Sequence, residues 1–509
     1  MNTKSRISNS SRNIFLGIFQ QVVSLLLTFI TRTIFIKFLN VELLGVNSLF
    51  SNILTVLSLA DLGFGTAILY SMYRPLAEGD EKKLSALMGY FKKIYMIVAT
   101  VVLVLGVAII PFLKYLIKEN NIEHIYLYYI LFLLDTVASY LLAYKVNIIN
   151  ADQKNYIIKR YTLIFNIIKA VLQCMVIIIF KNFVLYILVQ ILTTLGINAY
   201  GAYVSKKLYP FLKKKESLSN DEKKNIMKNV KSLFVYKMGG IILNNTDNIL
   251  ISSMIGIACV GYYTNYSTII TAITSITAIL FTTVTYSVGN LIATESKEKQ
   301  IDIFYKIEFF CNLLISFISI CLIGLINDLI KCWIGAEFLL DNNTIIAIVI
   351  NFYMVGIQNN IYMFRDTTGL FNDIKYAVII TAILNIIFSI ILGKIYGLFG
   401  IIFATAISRI LTCFWYEPLM LHKIYFKTSA QKYFINRMTN VFLTIIISIF
   451  ICGVSKVFVV NSWTLLVIKT IIISIIAGAL LLIVYCRYDE FKYYIELIKT
   501  FVKNKIVKE

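Results

Sequence analysis

Charge is what this chain of 509 residues has least of. Asp, Glu, Lys and Arg together make up 15% of it, against about 25% in an average soluble domain. A soluble protein of this length needs polar surface that these residues cannot supply. Hydrophobic residues make up 59%, and the mean hydropathy is +0.79. The expectation is therefore an all-α integral membrane protein rather than two or three soluble domains. Acidic groups are the scarcer sign: 27 Asp and Glu stand against 48 Lys and Arg, a net charge of +21. In a soluble chain that excess suggests nucleic acid. In a membrane protein it suggests basic cytoplasmic loops, and the positions of the positives decide.

The signatures of common chemistry are also missing. The two histidines, His124 and His422, lie far apart and outside any HExxH, so no metal site is expected. The cysteines include Cys174, Cys259, Cys311, Cys321 and Cys452, all within apolar stretches and none in a CxxC pair, which reads as buried thiols. Gly393-Lys394 is followed by Ile395, so no phosphate-binding GxxxxGK[ST] loop exists and ATP hydrolysis within this chain is not expected. No GxSxG occurs, and the longest outer connection, around Asp328 to Asn343, is too small for a catalytic domain. An enzyme such as a polysaccharide polymerase or membrane glycosyltransferase is the weaker reading.

Apolar runs dominate instead. A helix needs about 20 apolar residues to cross the hydrocarbon core, and about fourteen such runs occur, among them 13–38, 43–72, 230–256, 376–396, 398–420 and 463–486. They are continuous rather than alternating, which excludes a β-barrel. With the N-terminus inside, 37 of the 48 Lys and Arg fall on cytoplasmic segments, 7 on outer loops and 4 within spans. The asymmetry places both termini in the cytoplasm and accounts for the basic balance without nucleic acid. The apolar N-terminal run is too long for a signal peptide and reads as an uncleaved span. The longest inner connection, Ser205 to Val230, holds Lys213-Lys214-Lys215 and reads first as positive-inside charge, second as a lure for anionic lipid.

The runs fall into two related sets. Leu44-Gly45-Val46 is echoed by Val260-Gly261-Tyr262, 216 positions later, and Phe165-Asn166-Ile167-Ile168 by Leu384-Asn385-Ile386-Ile387, 219 later. Lys145 and Arg365 correspond at 220. Spans 1–6 thus repeat as spans 7–12. Because six is even, the repeat is parallel, with a pseudo-twofold axis along the membrane normal, the plan of alternating-access transporters. The expected division is 1–215 and 216–428 as two pseudo-symmetric six-helix lobes, with 429–509 adding two helices and a cytoplasmic tail.

Ionisable groups inside the bilayer cost roughly 3 kcal/mol or more, so each is a candidate functional site. Arg32 lies well into the first span and, as a permanent cation that grips phosphate bidentately, suits an anionic phosphate-bearing substrate. A structural ion pair is the competing reading. Asn248 is its counterpart at offset 216 and a second candidate for the substrate site, and Asp247 beside it suggests a pair across the repeat that gates the cavity or couples an ion. Asp135 in the fourth span and Asp61 in Leu59-Ala60-Asp61-Leu62-Gly63 are candidates for gating or for carrying a coupling H+ or Na+, or for structural hydrogen bonds. Arg365 reads as a helix cap or as a substrate-binding residue at the cytoplasmic entrance, and Lys169 and Lys237 as snorkelling cations.

These residues carry a resemblance. Arg12-Asn13, Arg32, Leu44-Gly45, Leu57 through Ile68 and Tyr73-Arg74-Pro75-Leu76-Ala77 resemble bacterial oligosaccharide-unit flippases. So do Thr246-Asp247-Asn248, Gly256, Val260-Gly261-Tyr262-Tyr263, Tyr396-Gly397-Leu398-Phe399-Gly400-Ile401 and Ala404 through Ser408. These flippases form the polysaccharide-transporter branch of the multidrug/oligosaccharidyl-lipid/polysaccharide exporter superfamily. The resemblance covers about spans 1–12. It implies two six-helix lobes around a cationic lumen, with Arg32 as a diphosphate ligand. It further implies translocation of undecaprenyl-diphosphate-linked oligosaccharide across a bacterial cytoplasmic membrane. Polysaccharide polymerase or assembly proteins would be its protein partners. The last two spans are similar to an added pair in the lipid II flippase branch, whose cluster of lumenal arginines this sequence lacks. An ion-coupled drug exporter of the same superfamily is the alternative.

Overall fold

The computed structural model describes residues 3–58, 64–118, 122–152, 154–213 and 216–506. Among the described residues all regular structure is helical. In chain order the helices are α1 (Thr3–Phe38), α2 (Val41–Leu57), α3 (Phe64–Glu78), α4 (Glu81–Ile109), the single turn α5 (Leu113–Leu116), α6 (Ile125–Leu141), α7 (Tyr144–Ala151), α8 (Asn155–Phe180) and α9 (Phe183–Leu208). Then come α10 (Asn220–Met254), α11 (Ile257–Thr294), α12 (Lys297–Trp333), α13 (Asn342–Gly356), α14 (Asn359–Thr368), α15 (Phe371–Leu411), α16 (Cys413–Met420), α17 (Gln431–Val457), α18 (Trp463–Tyr485) and α19 (Asp489–Ile506).

Among the described residues ten helical stretches are long and apolar enough to span a membrane, or eleven if α6 and α7, bent by 49°, make one broken span. The difference from fourteen has three local causes. The run at 43–72 is covered by the short α2 and α3, with residues outside the description between them. The run at 230–256 is helical in α10 but carries Asn244, Asn245, Asp247 and Asn248, and it is not among the apolar stretches. The runs at 376–396 and 398–420 fall together in one 54-residue stretch, Asp373–Phe426. At 1.5 Å per residue that is about 80 Å, far more than one crossing of a ~30 Å core. It is broken at Gly397, whose φ of 61° and ψ of −136° leave the helical region. That left-handed φ suits glycine. A Cβ on nearby Gly400 would meet the Leu392 carbonyl oxygen at 2.1 Å, so the turn also needs its second glycine.

Contact density separates Met1–Thr264 from Asn265–Glu509 as two compact units. In the first, α1 packs on α8, α8 on α9, α9 on α6, α6 on α4 and α2 on α10. The start of α11 also reaches α2 within this unit. A Cβ on Gly45 would meet the Ile257 carbonyl oxygen at 2.1 Å, and one on Gly261 would meet the Val41 carbonyl oxygen at 2.4 Å. Gly261 follows Gly45 by 216 positions, and Ile257 follows Val41 by the same 216. The contact is therefore reciprocal, as an isologous twofold contact is.

In the second unit α12 is the central post. It packs on α13, α17 and α18. Apolar packing, as among Phe309, Ile320, Ile447, Ile451, Ile473 and Ala477, is supplemented by polar links at intervals along α12. Arg437 lies 3.5 Å from Glu308, the Ser316 and Thr444 hydroxyls are 2.8 Å apart, and Ser455 donates to the Gly324 carbonyl at 2.6 Å. Lys469 pairs with Asp328 at 2.7 Å, and Lys331 donates to the Val460 carbonyl at 3.0 Å. From Glu308 to Lys331 is about 35 Å of helix, the thickness of the hydrocarbon core. Arg437, one of the positives assigned to cytoplasmic segments, is a fully buried member of this ladder.

Candidate functional site

The first unit gathers polar groups where its helices are most apolar. Arg32 is half-buried on α1, a helix that packs on α8, where Cys174 approaches Thr31 at 3.9 Å. The guanidinium is close enough to the Tyr186 phenol on α9 for the two to interact electrostatically. One turn from Arg32 on the same face, Phe35 meets the Tyr186 ring edge-on at 5.2 Å and the Phe183 ring at 5.7 Å, which fixes α1 against α9 at this depth. The Tyr186 carbonyl accepts from the Gln173 amide of α8 at 3.3 Å.

One turn further along α9 stands Gln190, on the same face as Tyr186. Its amide donates to Asp135 Oδ2 of α6 at 2.7 Å. The other carboxylate oxygen, Oδ1, is shielded and accepts no hydrogen bond. Lys169 of α8 lies within electrostatic reach of this carboxylate. Lys169 stands mid-way along α8. Arg32, Tyr186, Gln190, Asp135 and Lys169 form a set drawn from four helices, with two permanent or potential cations and one carboxylate. Such a set can hold an anionic group and can take up or release a proton or cation at Asp135.

The remaining candidates are placed elsewhere. Asp247 and Asn248 are half-buried on α10, the helix that packs on α2 and α3, and both have a shielded side-chain oxygen. Their neighbours Asn245 and Thr246 bond back to the carbonyls of Ile241 and Ile242, so the polar run does not break the helix. Asp61 lies outside the described residues, and so does the side chain of Lys237. Arg365, in the second unit, is buried and already engaged. Its guanidinium is 3.2 Å from Glu417 and 2.8 Å from Asp366, and it covers the Tyr362 ring at 4.7 Å. Lys469 is closed off by Asp328 in the same way. Sequence reasoning missed Gln190, Tyr186, Glu417 and Glu308. A polar side chain inside an apolar run was the available signal for each. No group of three or more His, Cys, Asp and Glu able to hold a metal occurs among the described residues.

The helical architecture and the polar interior define a multi-pass membrane protein, and its fold is that of solved transporters. It superposes on the lipid II flippase MurJ in an inward closed conformation with a TM-score of 0.65, at 16% identity over 92% of this chain and 98% of that one. It also superposes on an inward-facing multidrug resistance MATE transporter of the MOP superfamily, with a TM-score of 0.54 and 13% identity over 77% and 91% of the two chains. For the Vibrio cholerae MATE transporter VcmN the values are 0.52 and 14%, over 83% and 99%. By sequence the chain matches none of the curated proteins. Residues 10–288 match the family model described as polysaccharide biosynthesis protein, and the chain belongs to that family.

Proposed function

We propose that this protein is a flippase that moves undecaprenyl-diphosphate-linked oligosaccharide units across the bacterial cytoplasmic membrane by alternating access, for surface polysaccharide synthesis. The observation that carries the reading is the pairing of a polysaccharide biosynthesis family match with a fold shared with a lipid II flippase over 92% of the chain. The physical task is consistent with it. A charged glycan head cannot cross ~30 Å of hydrocarbon unaided, and a membrane cation such as Arg32 meets a diphosphate with paired donors in fixed geometry. Both termini are placed in the cytoplasm, and the protein partners expected are a polymerase or assembly proteins. Asp135 is the group proposed to carry a coupling H+ or Na+. Protonation there removes the negative charge, which gives two charge states to one helix cluster. Asn248 is the proposed counterpart of Arg32 in the repeat and a second substrate contact, and Asp247 beside it is the proposed gating partner. The likeness to MATE transporters supports a second reading, an ion-coupled multidrug exporter.

The test uses the purified full chain in proteoliposomes loaded with lipid-linked glycan, with imposed proton or sodium gradients. Glycan exposure on the opposite face should depend on the protein. Arg32→Gln should reduce it at least tenfold and Arg32→Lys less, and Asp135→Asn should abolish the response to the gradient. Glycan movement equal to protein-free liposomes, together with drug efflux by the same preparation, would replace this reading with the second.

A further inference from the structure

A second basic feature lies away from the intramembrane cluster. A cavity of about 950 Å³ is walled by the first turns of α4, by α7, by the last turns of α9, by Tyr209, Leu212 and residues 216–218, and by Lys223 at the start of α10. This is within the usual range for small-molecule pockets, about 300–1,000 Å³. Ion pairs and hydrogen bonds anchor the described residues on either side. Tyr209 donates to Asp152 at 2.7 Å, Asp152 pairs with Lys154 at 2.7 Å, and Lys83 pairs with Glu222 at 2.9 Å. Ser219 and Glu222 also form a capping box that starts α10.

Five lysines line the cavity, Lys92, Lys93, Lys145, Lys206 and Lys223, against the single carboxylate Glu216. The acids beside it are used by Lys83 and Lys154, and among the described residues none of the five joins an ion pair. Ser205, also on the wall, is 1% exposed, and its hydroxyl makes no hydrogen bond within the protein. A buried hydroxyl left in that state is destabilising, and a ligand oxygen would supply the missing partner. The wall then changes character along α4. Met96 and Ile97 lie one turn deeper than Lys92 and Lys93 on the same faces, and they are 43% and 63% exposed. A cationic rim directly above an apolar, outward-facing strip fits a ligand that is anionic at one end and hydrocarbon at the other.

We propose that this cavity is a binding site for an anionic phospholipid of the cytoplasmic leaflet. Its phosphate is held by Lys92, Lys145 and Lys206 with the Ser205 hydroxyl donating to a phosphate oxygen, and its acyl chains lie over Met96 and Ile97. Basic pockets between helices on the cytoplasmic side are known to suit such head groups. The site is separate from the Arg32 cluster. It rests on the orientation proposed above and not on the identity of the translocated substrate.

The purified full-length protein in detergent would be titrated with phosphatidylglycerol, phosphatidylcholine and inorganic pyrophosphate, with bound lipid read by native mass spectrometry. Phosphatidylglycerol should bind at least tenfold more tightly than phosphatidylcholine. The Lys92→Gln/Lys145→Gln/Lys206→Gln variant should lose on the order of 100-fold for phosphatidylglycerol alone, from roughly fivefold per lysine. The corresponding triple arginine variant should retain binding. If the glutamine variant elutes as aggregate, Lys206→Gln alone carries the test with a loss of about fivefold. Equal affinity for the two lipids, or unchanged binding by the glutamine variant, overturns the site. Displacement of phosphatidylglycerol by millimolar pyrophosphate would assign the cavity to a soluble phosphate and overturn the lipid. Glycan translocation is not part of the readout, so failure here and failure of the flippase reading are separate events.

Discussion

At the scale of single residues, Arg32 and Arg437 are two helix cations in different surroundings, one half-buried and one fully enclosed. Arg32 sits about three-quarters of the way along an apolar run, so its membrane location was legible from spacing alone. Arg437 sits six positions after the start of α17 and reads as an end-of-helix cation. It is in fact 0% exposed, stacked between Tyr433 at 4.8 Å and Phe414 at 5.3 Å, and it faces Glu308. The Glu308 oxygens meanwhile accept from Asn312 at 3.1 Å and Asn360 at 3.0 Å. Glu308 lies 52 positions from Asn360 and 129 from Arg437 along the chain, and no local pattern encodes these two contacts. The energetic consequence is asymmetric. Removing one member of a buried pair strands the other charge and costs about 3–5 kcal/mol, while removing both is often near neutral. Arg437→Met should therefore lower the thermal midpoint in detergent sharply. Glu308→Gln combined with Arg437→Met should recover most of that loss. A double variant no more stable than Arg437→Met would show that the two charges do not depend on each other.

At the scale of elements, the repeat was legible and its physical use was not. The echo of Gly45 in Gly261 indicated a common ancestry for two halves. Only the structure shows that each glycine lies against a carbonyl at the start of the other's helix, Ile257 for Gly45 and Val41 for Gly261. The local symmetry makes a quantitative demand. A methyl group at either position falls 2.1 or 2.4 Å from a backbone oxygen, and backbone cannot swing aside as a long side chain can. The two helix starts would have to separate. Gly45→Ala and Gly261→Ala should each destabilise the chain by on the order of 1–3 kcal/mol, the usual cost of overpacking, and by similar amounts. Gly65→Ala, which meets nothing within 4 Å, serves as the helical control. Thermal unfolding followed by tryptophan-independent aggregation in detergent would measure all three. Tolerance of Gly45→Ala alone would break the symmetry argument. The 397–400 hairpin carries the same lesson. Its glycines were legible as a motif, but the reversal that divides a 54-residue helical stretch needed the backbone angles.

At the scale of the whole molecule, the fold class followed from composition, since 15% charge cannot clothe a soluble chain of 509 residues. The status of the last two helices did not follow. Lying outside the repeat, they read as an appendage. In the second unit they are instead tied to α12 over about the full bilayer thickness, and two of the ties are ionic, Arg437 with Glu308 and Lys469 with Asp328. An appendage held by apolar contact leaves only hydrocarbon-facing surface when it is removed, and lipid covers that readily. Removing this pair would leave Glu308 and Asp328 on α12 without their cations, in a segment where an ionised group costs roughly 3 kcal/mol or more. Truncation after Lys427 should therefore give a chain that aggregates on size-exclusion chromatography, with little monodisperse material. Adding Glu308→Gln and Asp328→Asn to the truncated chain should restore a monodisperse fraction, because the stranded charges and not the lost apolar contacts are the larger cost. A truncated chain that is monodisperse without those substitutions would show that the last two helices are dispensable to the stability of α12.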